Sequence, residues 1–212
     1  MKSFGCWMWL CLLLWVSCMP LWAQQESARE ILDRTAETIH SAGGVKALFT
    51  VQTSDGDRQT GSIRLQGERF RLEAGGITTW FDGHTQWTYL PSSEEVNVSE
   101  PSPEELQTLN PYAWLSLYNK GYKLKLGKVD NPAFSGCHKV VLTAEDRQQE
   151  LQCIILYVSK ENGRPARISM AQRGGGTALI VIDSFEDGQA YTEADFRFEP
   201  KEYPMVEVVD LR

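Results

Sequence analysis

The chain has 212 residues, a net charge of −7 and five cysteines, and 42% of it is hydrophobic. An acidic chain with no basic aromatic patch repels phosphate backbones, which argues against a nucleic-acid binder; the same sign opposes adhesion to an anionic bilayer. The length suits one domain with a sizeable core.

Residues 1–23 read as an export signal. Lys2 supplies the positive start, an apolar run spans Phe4 to Val16, and Leu21-Trp22-Ala23 places a small residue at the cut. Two other readings stay open. One is a membrane anchor, for which the run is short; the other is a lipoprotein signal acylated at Cys18, preceded by Trp15-Val16-Ser17. Cleavage after about Ala23 removes Cys6, Cys11 and Cys18 and leaves residues 24–212 as a single domain, with Cys137 and Cys153 in an oxidising compartment. If the hairpin between those two centres on Glu145, they face each other and form a candidate disulfide. In another register they are two buried free thiols.

From Gln24 to Ala42 the pattern is helical: Ile31, Leu32, Thr35 and Ile39 share one face, and Gly43-Gly44 ends the run. The period then becomes two. Ser62 to Gln66 and Arg69 to Glu73 alternate strictly about the turn Gly67-Glu68. Thr78 to Phe81, Thr85 to Tyr89 and Glu95 to Ser99 continue the meander, with turns at Asp82-Gly83 and Pro91-Ser92-Ser93. A helix start at Ser102-Pro103-Glu104-Glu105 and a short aromatic helix from Pro111 through Tyr118 interrupt it. Strands resume at Tyr122 to Leu126, Lys139 to Thr143, Leu151 to Val158, Ala166 to Gln172 and Thr177 to Phe185. The expected fold is mainly β with α: about ten strands in one curved antiparallel sheet, covered on its apolar side by two or three helices.

Little in the sequence reads as chemistry. The three histidines lack metal-pair spacing, no Cys-x-x-Cys occurs, and Cys137 and His138, adjacent on a strand, point to opposite faces. Gly174-Gly175-Gly176 lacks the Lys and Ser/Thr of a phosphate loop, and there is no nucleophile elbow. The chain is therefore read as a non-enzyme without a cofactor or metal. Alternation sends Ile63, Leu65, Phe70, Leu72, Trp87, Tyr89, Val96 and Val98 to one dry side, beneath a helix bearing Trp114, Leu115 and Tyr118. Such a set is either an ordinary core or the lining of an apolar cavity.

Phe81-Asp82-Gly83-His84-Thr85-Gln86-Trp87-Thr88-Tyr89-Leu90-Pro91 resembles the Asp-Gly-Lys-Thr-x-Trp-x-Tyr-x-Pro hairpin of LolA-type outer-membrane lipoprotein carriers. Asn110 to Leu115 is similar to the family's apolar helix, and Ala194 to Pro200 with Pro204 to Asp210 is similar to its closing strand and tail. The resemblance runs from about Glu26 to Arg212. It implies a half-closed, unclosed β-barrel whose hydrophobic concavity is capped by helices. It also implies a monomeric periplasmic carrier that takes acylated lipoproteins from an inner-membrane ABC-type release complex to an outer-membrane acceptor. The eight dry-side residues then become acyl-chain candidates, and Trp114, Leu115 and Tyr118 a lid. The alternative is a carrier of another lipid, or a lipid-sensing envelope-stress module, on the same fold. One departure stands out: the family's Arg-Pro pair after the second strand is replaced by Gln66-Gly67-Glu68-Arg69, where alternation turns Arg69 outward.

Overall fold

The computed structural model describes residues 26–102, 105, 106, 118 and 121–212. The chain opens on α1 (Ala28–Ser41). β1 (Val45–Thr53), β2 (Arg58–Gln66), β3 (Arg69–Ala74), β4 (Ile77–Phe81), β5 (Gln86–Leu90) and β6 (Glu95–Ser99) follow. After the helical pair Glu105 and Leu106 come β7 (Tyr122–Gly127), β8 (Cys137–Ala144), β9 (Leu151–Ser159), β10 (Pro165–Gln172), β11 (Thr177–Glu186) and β12 (Glu207–Asp210). Ser27 caps α1 with a reciprocal pair: its hydroxyl accepts from the Glu30 N–H at 3.2 Å, and the Glu30 carboxylate accepts from the Ser27 N–H at 2.6 Å. Two donors of the first turn, which have no partner within the helix, are thereby satisfied.

One sheet holds all twelve strands, in the order β12-β6-β5-β4-β3-β2-β1-β11-β10-β9-β8-β7. Neighbours are antiparallel except β12, which runs parallel to β6. The sheet does not close; β12 and β7 stand at its two ends. The mainly β, unclosed architecture expected from the sequence is present. Of the expected helices, α1 is the one complete α-helix among the described residues, and the segment predicted as an aromatic helix lies outside them apart from Tyr118. Tight turns set the register. Gly75-Gly76 joins the pair Ala74↔Ile77 with φ of 60° and 81°, the two left-handed positions a two-residue hairpin of this kind requires.

Strand directions place the connections 54–57, 75–76, 91–94, 145–150 and 173–176 at one end, here called distal. Connections 42–44, 67–68, 82–85 and 160–164 lie at the proximal end. α1 sits proximally, against the face we call concave because side chains from both arms of the sheet converge there. Glu26 Oε2 is 3.8 Å from His138 Nε2, and a Cβ added at Gly163 would stand 2.9 Å from Thr38 Oγ1. Beneath the helix, Ile31 and Leu32 join Val45, Ala47, Ile63, Val140, Leu142, Ile154, Leu156 and Ile168 in one buried cluster.

A second cluster lies on the convex face of β4–β6, formed by Trp80, Val96, Val98 and Phe198 with Trp87, Tyr89, Tyr203 and Val206. Its cover is the C-terminal strap, which leaves β11, passes through the turns Glu193–Phe196 and Pro200–Glu202, and ends as β12 beside β6. The Phe198 ring meets Trp80 edge-on at 5.7 Å and Tyr203 at 5.3 Å. Phe198→Ala should therefore cost about 3 kcal/mol through lost burial and a residual cavity. Denaturant unfolding monitored by tryptophan fluorescence checks this; a midpoint unchanged from wild type would mean the strap is not part of the cooperative unit.

Candidate functional site

The eight apolar residues that alternation grouped together do not share one face. Ile63, Leu65 and Phe70 are buried in the concave cluster and Leu72 packs against it. Trp87, Tyr89, Val96 and Val98 lie on the convex face under the strap. The register explains the split: Leu72 pairs with Thr79, whereas Trp87 pairs with Trp80, which itself faces Arg71. Trp80 and Phe81 are neighbours in sequence and both almost fully buried, so β4 is buried on both sides. Two adjacent large aromatic residues in a short strand were the available signal, since period two sends them to opposite faces.

The concave face divides along its length. Proximally, α1 lies over it, with Ile31 and Leu32 fully buried in the cluster. Toward the distal end Val51, Leu72, Ala74, Leu124, Leu151 and Met170 pack against the cluster but stay partly exposed. A cavity of about 210 Å³ lies there, lined by Thr53, Leu151, Met170, Gln172, Thr177 and Ala178 among others. Sequence reasoning missed Val51, Leu124, Leu151 and Met170; Val51, Leu124 and Met170 continue the inward parity of their strands, whereas Leu151 departs from that of Ile154, Leu156 and Val158 across the register shift beside Gln172. Apolar groups on a concave surface, with Met170 able to adapt its shape, form a lining suited to a flexible hydrocarbon. Its chemistry is burial alone.

Of the three lid candidates, Trp114 and Leu115 lie outside the described residues. Tyr118 is 4% exposed within the concave cluster, its hydroxyl donating to Asp33 of α1 while the Arg29 guanidinium stands 5.7 Å from its ring centre. Leu106 packs on the same cluster.

A proximal groove of about 470 Å³ is polar, with Asp130, Cys137, His138, Lys139 and Lys160 in its wall. Hydrogen bonds from Lys139 (2.8 Å) and Tyr157 (2.6 Å) hold the Asp130 carboxyl down at about 2. Burial raises the Cys137 thiol, which works against thiolate chemistry, and burial lowers His138 despite nearby Glu26. Among the described residues no group of three or more His, Cys, Asp or Glu side chains could hold a metal ion. No helix among them is long and apolar enough to cross a membrane.

The sequence finds its counterpart in one family. A family model described as outer membrane lipoprotein carrier protein LolA matches residues 19–175. The chain belongs to the LolA family. Among solved structures it is similar to an uncharacterized conserved protein from Thermus thermophilus, at 22% identity and a TM-score of 0.59, covering 86% of this chain and 98% of that one. A LolA superfamily protein from Nitrosomonas europaea matches at 12% identity and a TM-score of 0.45, over 81% and 98% of the two chains. The Pseudomonas aeruginosa MucA/MucB complex matches at 16% and 0.45, over 82% of this chain and 62% of that one. No curated protein matches the sequence.

In this LolA-family chain Arg69 does turn outward, as alternation requires. Its guanidinium accompanies the Phe196 ring at 5.4 Å and donates to Gln66 Oε1 at 2.9 Å. It therefore fastens the strap on the convex side. The candidate disulfide is also corrected. Thr143 pairs with Cys153 and Cys137 with Ser159, so the hairpin centres near Gln148 and both thiols are free. Six positions of strand separate them, about 20 Å at the usual rise, against the roughly 7 Å limit for a bridge. Unfolding the protein without reductant should expose two alkylatable thiols by mass spectrometry. A mass two hydrogens lower, with no alkylation, would contradict this register.

Proposed function

We propose that the chain is a periplasmic carrier that shelters lipoprotein acyl chains on its concave face and moves lipoproteins from the inner to the outer membrane. The observation that carries the proposal is the partly exposed apolar lining at the distal end, where α1 does not reach, in a chain of the LolA family. Exposing one acyl chain of ~14 methylenes to water costs on the order of 11 kcal/mol at about 0.8 kcal/mol each, so acylated cargo needs a container to cross an aqueous space. Residues 1–23 act as the export signal, cut after about Ala23. The donor is an ABC-type release complex in the inner membrane. The carrier performs no covalent chemistry and uses no cofactor.

The deciding experiment supplies purified protein to energised inner-membrane vesicles that hold an acylated lipoprotein. Release of that lipoprotein into the soluble fraction in complex with the carrier is the expected result. Free lipid bound without any lipoprotein would instead make the chain a carrier of another lipid. No bound acyl material at all would reject the carrier reading.

Within this reading the two faces should respond differently. Met170→Asp places a charge that must be desolvated where hydrocarbon binds, and should weaken binding of a fluorescent acyl probe by about tenfold or more. Trp87→Ala removes apolar area on the convex face and should lower stability while leaving probe affinity within about twofold. Equal losses of affinity from both changes would show that the concave lining is not the binding surface.

A further inference from the structure

The two ends of the open sheet carry opposite charge. β12 presents Glu207 and Asp210, both exposed, beside Glu94 and Glu95 at the start of β6; Arg212 pairs with Asp210 at 2.6 Å. At the other end β7 reads Tyr122-Lys123-Leu124-Lys125-Leu126, and Lys128 follows it. Among the described residues β7 is the last strand on its side of the sheet.

Parity divides β7 between the two faces. Tyr122, Leu124 and Leu126 belong to the concave cluster, where both leucines stay partly exposed. Lys123 and Lys125 turn to the convex face and are exposed. Their register neighbours on β8 are Thr143 and Val141, which pair in turn with Cys153 and Ile155 of β9. None of the strands β7, β8, β9 and β10 contains an aspartate or glutamate, in a chain that has 28 of them. The nearby acids lie in the connections and have cations of their own. Asp130 accepts from Lys139 at 2.8 Å, Glu150 lies 3.7 Å from Arg173, and Glu145 and Asp146 precede Arg147.

Charge on an edge strand discourages pairing with another chain, and β12 meets that need with acids. The sign at β7 is the informative part. In a chain of net charge −7, a cationic edge turns the molecule toward an anionic surface and its acidic end away. The overall charge opposes adhesion in any other orientation. We propose that the β7 edge docks on the anionic headgroups of a phospholipid bilayer, with Lys123, Lys125 and Lys128 against their phosphates. Each lysine near such a surface is worth roughly a fivefold gain in partitioning, so three of them give a contact that is easily reversed. Leu124, part of the distal lining, lies between two of these lysines in sequence. Docking at β7 therefore sets the lining beside the bilayer. The contact needs no cargo and so goes beyond the carrier reading.

The test sediments the purified protein with vesicles of phosphatidylcholine, either alone or with about a third phosphatidylglycerol. Wild type should bind the anionic vesicles about tenfold more tightly or better, and added salt should remove most of that preference by screening. Lys123→Glu and Lys125→Glu, made singly, should each weaken the binding by about tenfold or more, since each replaces an attraction by a repulsion. Lys201→Glu makes the same change of net charge at an exposed site on the strap and should stay within about twofold of wild type. Lys123→Gln and Lys125→Gln take the place of the reversals if those disturb the edge strand. Equal binding to both kinds of vesicle, or none to the anionic ones, would overturn the proposal. So would an equal loss in Lys201→Glu, because net charge alone would then account for the binding. Acyl binding without docking would leave the carrier reading intact, and docking without acyl binding would refute that reading alone.

Discussion

An open sheet has two faces, and each strand sends alternate side chains to each of them, so both faces need cover wherever both are apolar. In this protein that need peaks at β4, where Trp80 and Phe81 point to opposite sides and are both almost fully buried. From β4 toward β1 and around to β7, the larger apolar side chains turn to the concave face and α1. On β5 and β6 they turn to the convex face. The strap that follows β11 is the consequence: Phe198, Tyr203 and Val206 supply the cover there. Its parallel pairing with β6 closes the last hydrogen-bonding edge on that side with a strand whose own outer edge is only four residues long. On the concave side of β5 and β6 the same parity places Gln86, Thr88, Asn97 and Ser99.

Covering one face firmly leaves the other free to serve. The strap, the capped α1 and the long central pairing of β1 with β11 form a frame that needs no ligand. Contacts of α1 concentrate at the proximal end, and the distal lining keeps partly exposed apolar side chains such as Val51, Leu124 and Met170. Frame and lining are thus separated along the strands, a few residues apart on the same chains. A side chain such as Leu72 can be partly exposed because Ile63, its neighbour in register, is already fully buried. Local exposure therefore costs little of the cooperative stability, which is the usual condition for a binding surface that changes occupancy.

The sequence was most legible where a rule has one solution. Alternation with glycine turns gave the meander, and the run Ile31, Leu32, Thr35 gave the face of α1, with the Ser27–Glu30 cap in keeping with it. The site was legible only in part. Ile63, Leu65, Phe70 and Leu72 fell on the concave face because hairpin turns of two residues preserve parity. Trp87, Tyr89, Val96 and Val98 were misplaced because alternation says which residues share a face and not which face faces α1. The four-residue connection 82–85, held by the Asp82 carboxylate accepting from the His84 and Thr85 N–H groups, leaves that choice to tertiary cover. The cysteine pair failed for a related reason: the hairpin centre moved from Glu145 to near Gln148, and a shift of three residues moves paired positions by six.

A carrier has to release what it holds, and that sets an upper limit on how well its lining can fit. If the concave face recovered the whole hydration cost of an acyl chain, transfer to a bilayer would gain nothing, because a membrane interior offers the same relief. A lining that is incomplete and open at one end recovers only part of that cost. The chain then moves downhill to a membrane acceptor without coupled energy, while remaining bound against water.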